Sequence, residues 1–336
     1  MLDLNKGFMP QRVFITGTAG FIGFHLAKCL LDLGVEVFGI DNFNAYYSVQ
    51  LKHDRHAQLE QYQNYQWKKC DLCDAELLQS LVATFQPDVV VNLAAQVGVR
   101  YSIYNPHAYQ KSNVEGFLNV LECCRSLSPK PRLIFASSSS VYGGNKKLPF
   151  TEDQPVDNPV SLYAATKRAN ELMAYCYSHL FGLQAIGLRF FTVYGPWGRP
   201  DMAYWLFTEQ LSQGKPINVF NHGEMYRDFT YIDDIVSGVV GCITASSLAQ
   251  YDIFNIGNHR SEKLMDLIKL IADELNIRHP AMTFLPMQDG DVLVTYASVD
   301  KLHAATGYAP TTPVSVGIPK FVEWFKAYRQ SHCAFV

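Results

Sequence analysis

Thr16-Gly17-Thr18-Ala19-Gly20-Phe21-Ile22-Gly23 follows the apolar run Val13-Phe-Ile15 directly and opens a stretch whose apolar spacing predicts a helix over 21–33. Strand, glycines and helix in that order turn a glycine pattern into a pyrophosphate cradle. The N–H groups of a helix N-terminus attract phosphate, and glycine lets it approach closely. A lone glycine triad is often no more than a tight turn. Here the next apolar run, Val35-Glu-Val-Phe-Gly-Ile-Asp41, ends 18 residues beyond Gly23 in a carboxylate that can accept both hydroxyls of an adenosine ribose. Asp41 would repel a 2′-phosphate, and Asn42-Phe-Asn-Ala-Tyr-Tyr47 has no Arg or Lys to attract one, so NAD is expected rather than NADP. Asp71-Leu72, after the following strand, either borders the adenine or simply caps a helix.

Outward from this stretch, short β-rich runs (Asp88–Ala94, Leu133–Ser137, Ala185–Phe191) alternate with helical spacing over 74–85, 107–126 and 162–179. Continuous apolar strands separated by helices predict an α/β fold, a doubly wound parallel sheet of Rossmann type covered on both faces. After Phe191 the texture shifts to Pro- and Gly-marked loops with helices over 203–213, 232–244, 263–275 and 314–329, which predicts a smaller C-terminal α/β domain. Ile253-Phe-Asn-Ile-Gly257 still reads as a buried strand. We therefore expect a large domain at 10–190 with 229–259 returning to it, and a smaller one at 191–228 and 260–330.

With 48% apolar and 18% charged residues, the 336-residue chain can bury sizeable cores and is neither disordered nor fibrous. A formal charge of -3 with no long Lys/Arg cluster argues against nucleic acid and anionic lipid as partners. No apolar run approaches a membrane span, and the N-terminus lacks a charged start followed by an apolar block, so a cytoplasmic protein is expected. Eight cysteines are too sparse for a disulfide framework; Cys70-Asp-Leu-Cys73 has no second pair or nearby His, so no metal is expected.

Tyr163-Ala-Ala-Thr-Lys167 sets a phenol and an ammonium four residues apart on one helix face. A tyrosine is a poor base near neutrality, and a nearby cation favours its phenolate. Alone, that spacing is common. Ser137-Ser-Ser-Ser140 adds hydroxyls at the end of the preceding strand, where open α/β sheets place ligands, and one of them can share a substrate proton with Tyr163.

At this point the chain resembles the extended short-chain dehydrogenase/reductase family. The glycine loop, Asn92-Leu-Ala-Ala95, Asn113, Ser138, Tyr163-x-x-x-Lys167 and Arg227-Asp-Phe-Thr-Tyr-Ile-Asp233 stand in family order. Within it the chain is similar to the nucleotide-sugar 4-epimerases, and Gly195-Pro-Trp-Gly-Arg-Pro-Asp-Met202 with Val97-Gly-Val-Arg100 resembles those acting on UDP-glucuronate. The resemblance implies that Gly17, Gly20, Phe21, Ile22, Gly23, Asp41, Asn42, Asp71, Leu72, Leu93, Ala94, Ala95, Asn113, Tyr163 and Lys167 contact NAD. It makes Ser138, Tyr163 and Lys167 the catalytic set, acting through a 4-keto sugar, and gives the smaller domain the nucleotide sugar. Ser138, Ser139, Ser140, Arg100, Thr192, Arg199, Arg227, Gln288 and Asp291 would meet that substrate. Ser139, Ser140 and Thr192 would face the C6 end of the sugar, with Arg227 and Arg199 on the diphosphate.

UDP-galactose epimerases usually carry Lys where this chain has Gln96 and Arg where it has Gln288, which places a neutral-sugar 4-epimerase second. A UDP-glucuronate decarboxylase, which begins from the same 4-keto acid, stands third, and a dinucleotide-binding sensor without catalysis fourth. Sugar 4,6-dehydratases carry Asp-Glu where Ser139 and Ser140 stand, and neither serine titrates near neutrality, so dehydration is not expected. The helices over 107–126 and 162–179 resemble those that pair two copies in the family, implying a homodimer.

Overall fold

The computed structural model describes residues 8–288 and 291–333. The first seven residues of the N-terminal stretch, and Asp289 and Gly290 beside Gln288 and Asp291, lie outside them. The chain runs through β1 (Arg12–Thr16), α1 (Phe21–Asp32), β2 (Glu36–Asp41), α2 (Val49–Leu59), β3 (Tyr65–Lys69), α3 (Ala75–Phe85), β4 (Val89–Asn92), α4 (Tyr101–Tyr104), α5 (Pro106–Tyr109), α6 (Gly116–Ser126), β5 (Arg132–Ser138), α7 (Leu162–Phe181) and β6 (Ala185–Phe190). It continues through β7 (Thr192–Tyr194), α8 (Ala203–Ser212), β8 (Ile217–Phe220), β9 (Tyr226–Arg227), β10 (Phe229–Tyr231), α9 (Ile232–Thr244), β11 (Tyr251–Ile256), β12 (Glu262–Lys263), α10 (Leu264–Glu274), β13 (Met282–Leu285), α11 (Asp300–Thr306) and α12 (Val314–Cys333).

Seven parallel strands form the central sheet in the order β3-β2-β1-β4-β5-β6-β11. Successive residues alternate between two cores: Val13 and Ile15 of β1 face one with α1 and α9, whereas Phe14 faces the other with α3 and α6. Burial on both faces is why these strands read as unbroken apolar runs. The strand order reverses between β1 and β4, so a crevice opens at their C-terminal ends. Beside it lie three two-stranded pairs, β7 with β10, β8 with β13 and β9 with β12. The helices α8, α10 and α12 bury Leu211, Leu267 and Phe321 in the same core as α1.

Two departures from the sequence expectation bear on the crevice. The helix expected over 107–126 breaks at a π-turn, Gln110–Glu115, between α5 and α6. The wider turn carries Asn113, whose buried amide accepts from Gln96 N at 2.8 Å and donates to Gln96 O at 3.0 Å and Thr166 Oγ1 at 3.1 Å. The second is α2, which apolar periodicity could not reveal because its buried face includes Lys52, Arg55 and His56.

One buried ion pair ties the layers together. Glu171 of α7 accepts from Arg189 Nε at 2.8 Å and Nη2 at 3.0 Å, and from Ser137 Oγ at 2.6 Å, joining α7, β6 and β5. Removing one member of such a pair strands the other charge in the core. Glu171→Gln is expected to lower unfolding stability by roughly 3 kcal/mol or more in urea titration; a loss too small to measure would show that the pair does not hold these elements together.

Candidate active site

The crevice is a cavity of about 700 Å³. Its first wall is the glycine loop. Gly17 has φ +82°, and a Cβ there would lie 2.9 Å from Ala94 N. At Gly23 a Cβ would fall 2.1 Å from Gly17 O, so the loop closes on α1 only with glycine present. Gly20, the N-cap of α1, supplies no side-chain cap, and Phe21 and Ile22 line the cavity at this uncapped helix start. Asp41 lies at the end of β2, its Oδ2 accepting Ala19 N at 3.1 Å and its Oδ1 accepting Phe43 N at 2.8 Å. An uncapped helix start facing a carboxylate at the next strand end fits a dinucleotide.

Asn42, Asp71, Leu72, Leu93, Ala94 and Ala95 continue this wall. Asp71 does not cap α3. Its Oδ1 accepts Cys73 N at 2.9 Å and its Oδ2 accepts Asn42 Nδ2 at 2.8 Å, whereas Asp74 provides the cap to Leu77 N. Asn113 stays behind the wall, holding the backbone of Gln96, and does not line the cavity. The span 42–47 lacks a basic residue, but Lys52 reaches the cavity from α2, its Nζ donating to Asn44 O at 2.8 Å.

Ser138, Tyr163 and Lys167 meet on the floor. The Ser161 side chain caps α7 at Ala164 N, so Tyr163 sits in the first turn and Lys167 one turn deeper. Burial raises the Tyr163 phenol above its ordinary value, and the neighbouring Ser138 hydroxyl and Arg199 guanidinium pull it back. The helical spacing assigns that pull to Lys167, but its Nζ donates to Ala136 O at 2.9 Å. Ser138 Oγ also accepts Ser140 N at 3.2 Å, which fixes the start of the turn carrying Ser139 and Ser140.

Ser139, Ser140, Thr192, Arg199, Arg100 and Asp291 line the opposite end. Arg199 forks onto Asp201 with Nε–Oδ1 at 3.0 Å and Nη2–Oδ2 at 2.6 Å, and Tyr46 Oη donates to the same carboxylate at 3.1 Å. Arg227 and Gln288 do not line the cavity. Arg227 instead donates to Asp291 Oδ1 at 2.7 Å and to the carbonyls of Tyr226 and Leu293, so its fork is already engaged. Tyr46, Lys52 and Asp201 carry no signal in the sequence that marks them as site residues, although Asp201 stands inside the Gly195–Met202 segment. Among the described residues no three His, Cys, Asp or Glu side chains are grouped as a metal would need, and no helix is long and apolar enough to cross a membrane.

Burial pushes the Lys167 ammonium down to about 8 from 10.5. Between those values the unfolded chain holds a proton that the folded chain lacks, so this group makes stability rise with pH across that window, and below it the buried charge is a standing cost. Lys167→Met in nucleotide-stripped protein is expected to gain roughly 1–3 kcal/mol near neutrality, with the gain fading towards pH 10.5. Urea titrations at several pH values measure it, and a stability gain that grows with pH would contradict the assignment.

Residues 13–257 match the model of the NAD dependent epimerase/dehydratase family. UDP-glucuronate 4-epimerase 4 of Arabidopsis thaliana is 44% identical over 330 residues, covering 94% of this chain and 75% of the plant protein. Protein CapI of Staphylococcus aureus is 46% identical over 334 residues, covering 95% and 99%. The crystal structure of UDP-glucuronic acid 4-epimerase from Bacillus cereus, in complex with UDP-glucuronic acid and NAD, superposes with a TM-score of 0.88 at 32% identity, covering 94% of this chain and 99% of that one. A glycine loop, an acidic strand end and a Tyr-Lys helix at one crevice are thus joined to a match over most of the sequence, and the chain belongs to the NAD dependent epimerase/dehydratase family.

Proposed function

We propose that this chain is an NAD-dependent 4-epimerase of UDP-sugars that interconverts UDP-glucuronate and UDP-galacturonate. The observation that carries the reading is the convergence of Ser138, Tyr163 and Lys167 with the glycine loop and Asp41 in one cavity. Gly17, Gly20, Phe21, Ile22 and Gly23 would cradle the pyrophosphate, Asp41 the ribose, and Asn42, Asp71, Leu72, Leu93, Ala94 and Ala95 the adenosine side. NAD bound there supplies a reversible hydride acceptor for the sugar C4. Tyr163 takes the proton of the C4 hydroxyl, Ser138 holds that oxygen, and Lys167 fixes the strand end beneath them through Ala136. The flat 4-keto sugar then turns over and receives hydride and proton on its other face.

A 4-keto uronic acid is a β-keto acid and loses CO₂ when its C5–C6 bond aligns with the carbonyl π system. Short hydroxyls on fixed strand ends, Ser139, Ser140 and Thr192, suit a carboxylate that must be kept out of that alignment. Both arginine forks engage a carboxylate, Arg199 on Asp201 and Arg227 on Asp291, and Arg199 is the better placed to meet the diphosphate because it alone of the two lines the cavity. We further propose a homodimer through α6 and α7, where Leu118, Leu172, Tyr175 and Leu180 stand exposed, and a cytoplasmic location, which suits free thiols such as Cys70 and Cys73. No part of this reading calls on nucleic acid.

Chromatography of UDP-sugars after incubation with the purified chain is the test. UDP-glucuronate and UDP-galacturonate should interconvert with little decarboxylation, and UDP-glucose should turn over poorly. Rapid turnover of UDP-glucose alone would promote a neutral-sugar epimerase, UDP-xylose as main product a decarboxylase, and bound NAD without turnover a sensor. Tyr163→Phe should keep nucleotide binding while losing roughly 10²-fold or more in rate. Thr192→Ala should lose uronate turnover or leak UDP-pentose.

A further inference from the structure

Arg55, on α2, is fully buried, and all five of its hydrogen bonds go to uncharged oxygens. Nε and Nη2 donate to Trp197 O at 3.0 and 2.7 Å, and Nη2 donates to Gly198 O at 2.7 Å. Nη1 donates to Ala19 O at 2.9 Å and Tyr47 Oη at 2.8 Å. A guanidinium has five N–H groups, and a buried charge is costly unless it is fully hydrogen-bonded. This one is satisfied by carbonyl dipoles of two segments far apart in sequence: the glycine loop at Ala19 and the loop that leads into Arg199.

The second segment is held in a conformation it would not choose. Trp197 has φ +59°, in the left-handed region that a bulky side chain avoids, and such a residue persists only where its surroundings over-determine it. A further anchor comes from α1, the helix the glycine loop opens: His25 Nε2 lies 3.0 Å from Pro196 O. Burial pushes this imidazole down to about 4, so it is neutral, and Nε2 carries the proton it donates. Three successive carbonyls, Pro196, Trp197 and Gly198, are therefore gripped by side chains of the dinucleotide half. The next residue, Arg199, faces the cavity.

We propose that Arg55 is a positioning residue which, with His25, staples the loop presenting Arg199 to the glycine loop and so keeps the sugar and the dinucleotide in register. The inference rests on the 4-epimerase reading. In each turnover the sugar C4 gives a hydride to the nicotinamide and its hydroxyl gives a proton to Tyr163, and both must return to the same sugar. A keto sugar that loses register and escapes leaves the hydride behind, one reduced nicotinamide for each sugar lost.

The full chain, purified with its nucleotide, is assayed with UDP-glucuronate as wild type, Arg55→Lys and His25→Phe, reading kcat, KM, nucleotide content, melting temperature and the near-ultraviolet absorbance of reduced nicotinamide. Arg55→Lys keeps the charge but not the fork. It should retain nucleotide while kcat falls roughly tenfold to a hundredfold and reduced nicotinamide accumulates during turnover. His25→Phe removes one anchor, fills the same space and lies outside the cavity. It should show a smaller accumulation, and it decides the matter should the lysine variant not fold. Active wild type with both folded, loaded variants free of accumulation overturns the staple alone, as does a fall in rate that only tracks lost folded protein. Wild type that converts no UDP-sugar overturns the 4-epimerase reading and this inference with it.

Discussion

The crevice depends on one hydroxyl. Thr16, fully buried at the end of β1, donates to Asn92 Oδ1 at 2.7 Å and accepts from Leu93 N at 3.1 Å and Ala94 N at 3.0 Å. β1 and β4 are the neighbouring strands between which the order reverses. The chain therefore leaves them in opposite directions, and beyond the ladder pair Thr16–Asn92 and the bond from Leu93 N to Thr16 O at 3.3 Å, the Thr16 side chain adds the ties that fix the spacing of the segments at their ends. The Thr16 contacts set that spacing, and the close approach of Gly17 to Ala94 follows from it, since a Cβ at Gly17 would meet Ala94 N at 2.9 Å. The two walls of the dinucleotide site are thus joined by the end of the ladder and by one side chain that touches both strand ends.

The floor is held differently, by charge. Lys167 and Glu171, one turn apart on α7, reach successive residues of β5: Lys167 donates to Ala136 O, and Glu171 accepts from Ser137 Oγ. Ser138 comes next, so its place is fixed from the helix that also carries Tyr163. The Glu171–Arg189 pair behind it extends through Tyr142 Oη, which accepts from Arg189 at 3.0 Å and donates to Asn255 Oδ1 at 2.6 Å, into β11. Buried ion pairs are weak contributors to net stability but costly to break. Their value here is geometric, because they fix the strand end from which Ser138 and the serines after it reach the cavity.

What could be read from the sequence was what local spacing determines. The glycine loop, the carboxylate ending β2 and the Tyr163–Lys167 pair are each set by a strand or helix repeat, and the structure places all of them at the crevice. The parallel sheet was equally legible, because burial on both faces leaves a continuous apolar run. What spacing could not show were contacts made across the fold by polar side chains. Lys52, Arg55 and His56 face inward from α2, so the helix carries no apolar stripe to find. Asn113 looked like a cofactor contact in a regular helix; the π-turn instead aims it at the backbone of Gln96. Arg227 looked like a free fork, yet the carboxylate that engages it, Asp291, lies 64 residues away.

The same long-range contacts decide the electrostatics of the tyrosine. A Tyr-Lys pair on one helix suggests an ammonium that lowers the phenol; Lys167 donates to a carbonyl and, pushed down to about 8 by burial, still carries its charge near neutrality. The pull on Tyr163 comes from Ser138 and from Arg199, whose charge is shared with Asp201. Burial outweighs both, so the phenol of the resting chain stays protonated near neutrality. Positive charge facing the phenol favours its base form, so anything that neutralises Arg199 works against it. A residue that must accept a proton in one half of a reversible reaction and return it in the other benefits from this arrangement: burial holds the phenol up while Ser138 and Arg199 hold it down.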